Sequence, residues 1–169
     1  DKADSVRRKR QQAIDLADDF LRSVFLDMFG DPVTNPKGWE VKKVKNFAKV
    51  TTGNTPSRKE SKYYGEDIEW IKSDNINTPE HILTTATEFL SLEGEKVART
   101  VEKGSTLITC IAGSFDCIGN VAFADRKVSF NQQINALTPK RELVSDWFLY
   151  SLILFSKLPF KNINYIFFY

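Results

Sequence analysis

The sequence predicts an α+β protein in which one long N-terminal coiled-coil helix precedes a globular, mixed α/β domain. Residues 5–28 contain neither proline nor glycine and are mostly good helix formers. Residues 44–137 instead alternate short β-rich runs, turn residues and brief helical stretches, which favours an α+β domain over a regular parallel βαβ array. We place the boundary after residue 30, so that the helix occupies 1–30 and the domain 31–169.

The predicted helix carries an apolar stripe. Five residues, called the seam below, recur at the alternating three- and four-residue spacing of coiled-coil a and d positions: Ile14, Ala17, Leu21, Val24 and Met28. Three more residues widen the stripe: Leu16, Phe20 and Phe25. We expect the helix of a second copy to cover this stripe in a homodimer, whereas the alternative is that it packs on the chain's own domain.

The segments after the helix are short and separated by turn residues. Gly30, Asp31 and Pro32 end the helix and begin a turn-rich hinge. The predicted elements that follow are a helical turn and strand at 44–50, a loop at 53–57, a strand at 68–72, a helix at 92–99, β-rich runs at 106–112 and 118–124, a strand at 134–137, and a helix at 142–158 ended by Pro159.

The distribution of charge along the sequence is more informative about possible partners than the net charge. The formal net charge of +2 does not by itself indicate a nucleic-acid partner. However, residues 37–62 hold eight basic and two acidic side chains, whereas residues 66–95 hold eight acidic side chains and Lys72 as the one lysine or arginine. If the fold separates these segments, the basic one would meet phosphates and the acidic one would face away; the alternative is that both are solvated faces.

Several function classes lack their motifs in this sequence. It contains no phosphate-binding G-x-x-x-x-G-K-[ST] loop, no G-x-G-x-x-G and no G-x-S-x-G. Cys110, Cys117 and His81 are too few and too widely spaced for a structural zinc site, and we expect the two thiols to be reduced. An enzyme based on carboxylates brought together by folding remains an alternative. No signal-peptide pattern opens the sequence, and the apolar stretch at 147–154 is too short to cross a bilayer, so we expect a cytoplasmic protein.

Five short motifs follow one another along the chain. They are D-M-F-G-D-P-V-T-N-P-K-G-W-E, T-T-G-N-T-P-S, Y-Y-G-E-D-I-E-W-I-K-S-D-N-I, E-K-G-S-T-L-I-T-C-I-A-G-S-F-D-C-I-G-N-V-A-F and S-F-N-Q-Q-I-N-A-L-T-P. In this order they resemble a target-recognition domain of the Type I restriction-modification specificity subunits, preceded by the helix that links two such domains in a full-length subunit. The resemblance extends from about residue 10 to about residue 155.

The resemblance implies a DNA-recognition component that catalyses nothing itself. Such subunits hold two recognition domains apart on an antiparallel helix pair, and each domain reads one half of a split site in double-stranded DNA. The implied partners are modification subunits, which bind S-adenosylmethionine and methylate adenine, and restriction subunits, which use ATP. This chain would hold no cofactor, because S-adenosylmethionine, ATP and Mg belong to those partners.

Two departures from the family pattern affect this expectation. The sequence contains one helix and one recognition domain, so the intramolecular partner helix is missing. It also ends in F-K-N-I-N-Y-I-F-F-Y, where the family continues through a glycine-containing segment and a second helix, so we expect a domain truncated at its C-terminus. A competing hypothesis is therefore a fragment without DNA affinity, which modulates assembly through its helix.

Candidate DNA-contacting residues fall into three chemical groups. Cations and hydroxyls suit phosphates, asparagine and glutamine amides suit adenine edges, and an aromatic ring suits a thymine methyl. The alternatives are a purely structural turn at 53–57 and an N-Q-Q segment that serves the fold. The candidates are Lys42, Lys43, Thr55, Ser57, Arg58, Lys59, Lys62, Lys72, Ser73, Asn75, Ser114, Phe115, Asn131 and Gln132.

Overall fold

The computed structural model describes residues 2–78, 81–112, 117–156 and, for the backbone, 166–167. It has a long N-terminal helix followed by a mixed α/β globular part, which confirms the predicted fold class. Four helices occur in the described ranges: α1 (Lys2–Phe29), α2 (Val44–Phe47), α3 (Leu92–Val97) and α4 (Asp146–Ser156). The described strands are β1 (Val41–Lys42), β2 (Ala48–Thr52), β3 (Tyr64–Ile71), β4 (Phe89–Leu90), β5 (Thr100–Val101), β6 (Thr106–Thr109), β7 (Val121–Phe123), β8 (Val128–Phe130), β9 (Ile134–Pro139) and β10 (Ile166–Phe167).

The strands form two four-stranded sheets. The first has the order β2-β9-β6-β7, and all of its pairs are antiparallel. The second has the order β4-β3-β8-β5 and contains one parallel pair, between β3 and β8. In addition, β1 pairs with β10 in a two-stranded ladder. Strands β2 and β5 are therefore edge strands of different sheets in the described part of the chain.

Strand β6 of the first sheet is covered on both faces, unlike the exposed edge strand β2. Successive side chains of a strand point to opposite faces, and Ile108 of β6 packs in a cluster with α4 while its neighbour Leu107 packs in a cluster that includes residues of the second sheet. The same alternation separates Leu137 and Ala136 in β9. Because neither face meets water, strand β6 is buried throughout and lacks the period-two pattern of a half-exposed strand.

Helix α1 joins the globular part mainly through its last turns. Phe25 is buried, and its ring centroid lies 5.1 Å from those of Phe29 and Phe155. About two turns earlier, Asp18 Oδ1 lies 2.8 Å from His81 Nε2, and His81 Nδ1 lies 2.7 Å from the Tyr150 hydroxyl. Burial raises the pKa of that hydroxyl well above its usual range, so Tyr150 keeps its proton for this contact.

Most predicted elements are present with changed bounds. Helix α3 ends at Val97 rather than 99, and α4 begins at Asp146 rather than 142, where residues 141–143 form a turn. The predicted end of that helix at Pro159 lies outside the described residues. The short strands of two or three residues, such as β4, β5 and β8, were not predicted from the sequence, because so few residues have no measurable period.

Candidate nucleic-acid interface

The T-T-G-N-T-P-S motif runs from the end of β2 into a loop, and this loop packs directly on the N-Q-Q motif. A Cβ atom at Gly53 would lie 2.1 Å from the carbonyl oxygen of Asn131, so the backbones approach too closely for any other residue. The Gly53 N–H donates to the Ile134 carbonyl at 3.0 Å, and the Thr55 hydroxyl contacts the Gln132 amide oxygen. Two motifs separated by about 77 residues therefore form one surface, on which Thr55 and Gln132 are exposed.

Asn54 fixes this loop to the segment between α3 and β5. Its side-chain amide donates to the Val97 carbonyl at 2.9 Å and accepts the Arg99 N–H at 2.6 Å. Its own carbonyl accepts the indole N–H of Trp70 at 3.2 Å. One asparagine thus positions the loop relative to both α3 and β3, a structural role that sequence reasoning did not assign to it.

Two of the candidate phosphate-binding cations share one carboxylate, which offsets part of their charge. Arg58 Nη2 lies 2.6 Å from Glu88, whose other oxygen contacts Lys72 Nζ. The hydrogen bonds from Lys72 and then Arg58 lower the pKa of the Glu88 carboxyl. The Arg58 guanidinium also lies 4.4 Å from the ring centroid of Tyr64 and 5.0 Å from that of Trp70. The field of these two cations is therefore weaker than their count in the sequence suggests.

The other candidate cations differ in their surroundings. Lys42 pairs with Glu40 at 3.2 Å, and Lys62 with Glu60 at 3.8 Å, both near the surface. Lys59 is exposed, and its backbone N–H donates to the hydroxyl of Ser57 at 3.4 Å. Lys43 is exposed at the start of α2. Exposed ion pairs are weak, so a phosphate could displace Glu40 or Glu60 at small cost.

The candidate asparagines serve the fold. Asn75 is buried, and its amide donates to Thr84 and Thr85 while its oxygen accepts the Lys72 N–H at 3.0 Å. Asn131 is also buried, with its side chain bonded to the backbone and side chain of Gln133 at 3.0 Å. These positions favour structural roles over contact with base edges for both residues. Ser73 begins a single 3₁₀ turn, and Ser114 and Phe115 lie outside the described residues.

Two features of this region were not predicted. Glu69 and Arg126 form a partly buried ion pair, and the Arg126 hydrogen bonds lower the pKa of the Glu69 carboxyl. A groove of about 340 Å³, lined mainly by polar residues, lies between β2 and the segment from Ala98 to Thr100. Arg99 lines this groove. The sequence places it at the end of the predicted helix at 92–99, where nothing distinguishes it from an ordinary solvated arginine.

Within the ranges that the structure describes, no group of three or more His, Cys, Asp or Glu side chains is arranged to hold a metal ion. The helices in those ranges include none with the length and apolar character needed to cross a bilayer. Cys110 and Cys117 are both free thiols, and burial raises the pKa of Cys110.

Comparison with known proteins identifies a family and two curated relatives. The family model described as the Type I restriction modification DNA specificity domain matches residues 36–166. The chain is 36% identical to the Type I restriction enzyme MjaIX specificity subunit of Methanocaldococcus jannaschii over 118 residues, which are 68% of this chain and 26% of that protein. It is 29% identical to the HindI specificity subunit of Haemophilus influenzae over 119 residues, or 69% and 25% of the two proteins. The chain therefore spans about a quarter of the length of these relatives.

Solved structures share the fold at low sequence identity. The HsdS subunit from Thermoanaerobacter tengcongensis superposes with a TM-score of 0.63 at 17% identity, covering 99% of this chain and 42% of that one. The S subunit of a Type I restriction-modification system from M. genitalium gives 0.54 at 13% identity, covering 93% and 37%. Both match the long helix together with the mixed α/β part.

Proposed function

The chain belongs to the family of Type I restriction modification DNA specificity domains, and from that premise we propose that it recognises one half of a split site in double-stranded DNA. The observation that carries this proposal is the family match over residues 36–166, which covers nearly all of the globular part. The prediction of a non-catalytic component is confirmed, since the family is one of specificity domains and both curated relatives are specificity subunits.

The surface around the T-T-G-N-T-P-S loop supports a role in DNA recognition. Thr55 and Gln132 are exposed side by side, and Lys59 and Ser57 follow in the same loop. A glutamine amide can pair with a base edge, while a lysine and hydroxyls bind phosphates. The rigid contact at Gly53 holds this surface in place before DNA arrives, which lowers the entropic cost of binding.

We propose that catalysis and cofactors reside on partner subunits. Modification subunits would hold S-adenosylmethionine, and restriction subunits would hold ATP and Mg, with this chain as their scaffold. A cytoplasmic location, where such complexes meet DNA, remains a prediction.

The apolar stripe of α1 supports self-association. Leu16 and Phe20 are 72% and 67% exposed, and Leu21, Val24 and Met28 of the seam are exposed as well. Burying one large aliphatic side chain is worth about 1.5–3 kcal/mol, so leaving this stripe in water forgoes a substantial stabilisation. A two-fold antiparallel pair of α1 helices would cover both stripes at once and present two identical recognition domains to DNA.

Sedimentation velocity tests this homodimer. We expect the parent chain to dimerise at micromolar concentration and the Leu21→Asp, Val24→Asp double variant to stay monomeric, because a carboxylate cannot be buried in an apolar seam without a large penalty. The control is Asp15→Ala with Asp19→Ala, which changes charge at exposed positions outside the seam. A parent that stays monomeric at high micromolar concentration would contradict the arrangement.

Salt-dependent DNA binding tests the recognition proposal and separates it from the competing hypothesis of an assembly modulator without DNA affinity. Fluorescence anisotropy with a labelled duplex should give an association constant whose logarithm falls linearly with the logarithm of salt concentration. Each neutralised phosphate contributes about 0.9 to that slope for B-DNA. A chain that binds no duplex at low salt but dimerises through α1 would support the competing hypothesis. The exposed apolar stripe of α1 is the observation that keeps this hypothesis open, because it offers a surface for protein contacts.

A further inference from the structure

The groove between the two sheet edges has the chemistry of a phosphate site. We call it the β2–β5 cleft, and its lining consists of Lys49, Val50, Thr51, Thr52, Ala98, Arg99 and Thr100. We propose that this cleft binds a phosphodiester of the DNA backbone and thereby sets the position of the T-T-G-N-T-P-S loop on the duplex. The inference rests on the proposed function and adds a site that the sequence analysis did not identify.

The two cations of the cleft are not neutralised. Within the ranges that the structure describes, neither Lys49 nor Arg99 forms an ion pair with a carboxylate, whereas Arg58, Lys72 and Arg126 each do. No carboxylate is among the described residues that line the cleft. Two uncompensated positive charges that share a concave surface attract an anion more strongly than the same charges beside glutamates.

Hydroxyl donors complete the site. Thr51, Thr52 and Thr100 line the same cleft, and a threonine hydroxyl can donate a hydrogen bond to a phosphate oxygen. Such hydroxyls, together with lysine and arginine, are the usual donors to DNA phosphates. An apolar ligand would gain little from this lining, and a cationic one would be repelled by it. The lining therefore favours a ligand with an extended, negatively charged and oxygen-rich backbone.

The cleft is built before the ligand arrives. Strand β2 forms one wall and the segment leading into β5 forms the other, and both strands are edges of their sheets in the described part of the chain. Asn54, which follows β2 closely in sequence, bonds to the Val97 carbonyl and the Arg99 N–H and so fixes the distance between the walls. Thr55 lies on the same loop as Asn54 and contacts Gln132 of the turn between β8 and β9, so a phosphate bound in the cleft would hold this exposed pair at a fixed position along the duplex.

Salt titration of charge-removal variants tests the cleft. The double variant Lys49→Gln with Arg99→Gln removes both cations at exposed positions, so folding should be retained. We expect it to bind several unrelated duplexes more weakly by a similar factor, of about tenfold or more at low salt, with a salt slope smaller by about 2 in magnitude. The charge-preserving exchange Lys49→Arg with Arg99→Lys should retain most of the parent slope.

A matched control separates the cleft from net charge. Lys9→Gln with Arg10→Gln removes one lysine and one arginine from exposed positions of α1, and its slope should stay close to that of the parent. The proposed phosphate site is refuted if the parent binds duplex and the cleft variant keeps the parent's affinity and salt slope. It is also refuted if the α1 control loses as much affinity and slope as the cleft variant. A parent that binds no duplex at all would refute the proposed function and the cleft with it.

Discussion

Helix α1 and the globular part both carry many apolar residues, but they bury these residues to different extents. In the globular part the large aliphatic residues of β6 and β9 and most of those of α4 are almost fully buried, with Leu107, Leu137 and Leu149 at 0% exposure. In α1 the apolar side chains between residues 16 and 24 remain in contact with water. The core strands of the globular part thus bury their apolar side chains within one chain, whereas the helix leaves a stripe of apolar side chains exposed.

The difference is sharpest at the aromatic cluster where the last turns of α1 meet α4. Phe20 and Phe25 lie on the same helix, yet Phe20 is 67% exposed while Phe25 is 5% exposed against the rings of α4. The comparison indicates that substitutions in the globular part and at Phe25 should change the stability of the monomer. Substitutions in the rest of the stripe should change association instead.

The largest expected effect is at Gly53, where the globular part has no free space. We expect Gly53→Ala to lower the free energy of unfolding by more than about 4 kcal/mol, because its Cβ would collide with the carbonyl oxygens of Asn131 and Phe130. Gly38, in the hinge between the two regions, has a φ of +70° but no atom within 4 Å of such a Cβ. Gly38→Ala should therefore cost only about 1–2 kcal/mol from backbone strain. Urea denaturation measures the free energy of unfolding of both variants. Equal losses would contradict the close backbone contact described at Gly53.

The paired phenylalanines give the next largest effect. Phe25→Ala should lower the free energy of unfolding by about 3–5 kcal/mol, because it leaves a cavity among packed rings. Phe20→Ala should change it by less than about 0.5 kcal/mol when measured at a concentration too low for association. Thermal or urea unfolding at submicromolar concentration measures the two variants as monomers. A large loss of unfolding free energy for Phe20→Ala would mean that the stripe is already covered within the monomer.

A smaller, pH-dependent effect is expected for the Glu69–Arg126 pair. Hydrogen bonding to Arg126 lowers the pKa of Glu69 below its ordinary value of 4.5, so the ionised carboxylate stabilises the folded state above that pH. This contribution should be lost as the pH falls through the lowered pKa. Glu69→Gln should cost about 2 kcal/mol at neutral pH and should flatten the loss of stability in acid. Glu142→Gln, at an exposed glutamate, serves as the control and should leave the free energy of unfolding at neutral pH nearly unchanged.

Sequence reasoning succeeded where the structure follows from local patterns. The period of α1, its end at Gly30 with a φ of +82°, and the change from helix to strand at Ala48 all depend on neighbouring residues. It failed where partners are distant in sequence. Arg58 appeared free to bind a phosphate, but its partner Glu88 lies 30 residues away. No local pattern could reveal that Asn54 holds the backbone of Arg99, because only the folded sheets bring those segments together.

The central claim is that this chain reads a DNA sequence, and selection from a randomised duplex pool tests it most directly. Repeated rounds of binding at moderate salt, followed by sequencing, report both the bases that are read and their arrangement. The account predicts enrichment of two identical half-sites in inverted orientation, separated by a spacer of fixed length and unspecified sequence, as expected for a two-fold pair of recognition domains. A pool that shows no enrichment, even though the chain binds duplex in a salt-dependent way, would contradict it.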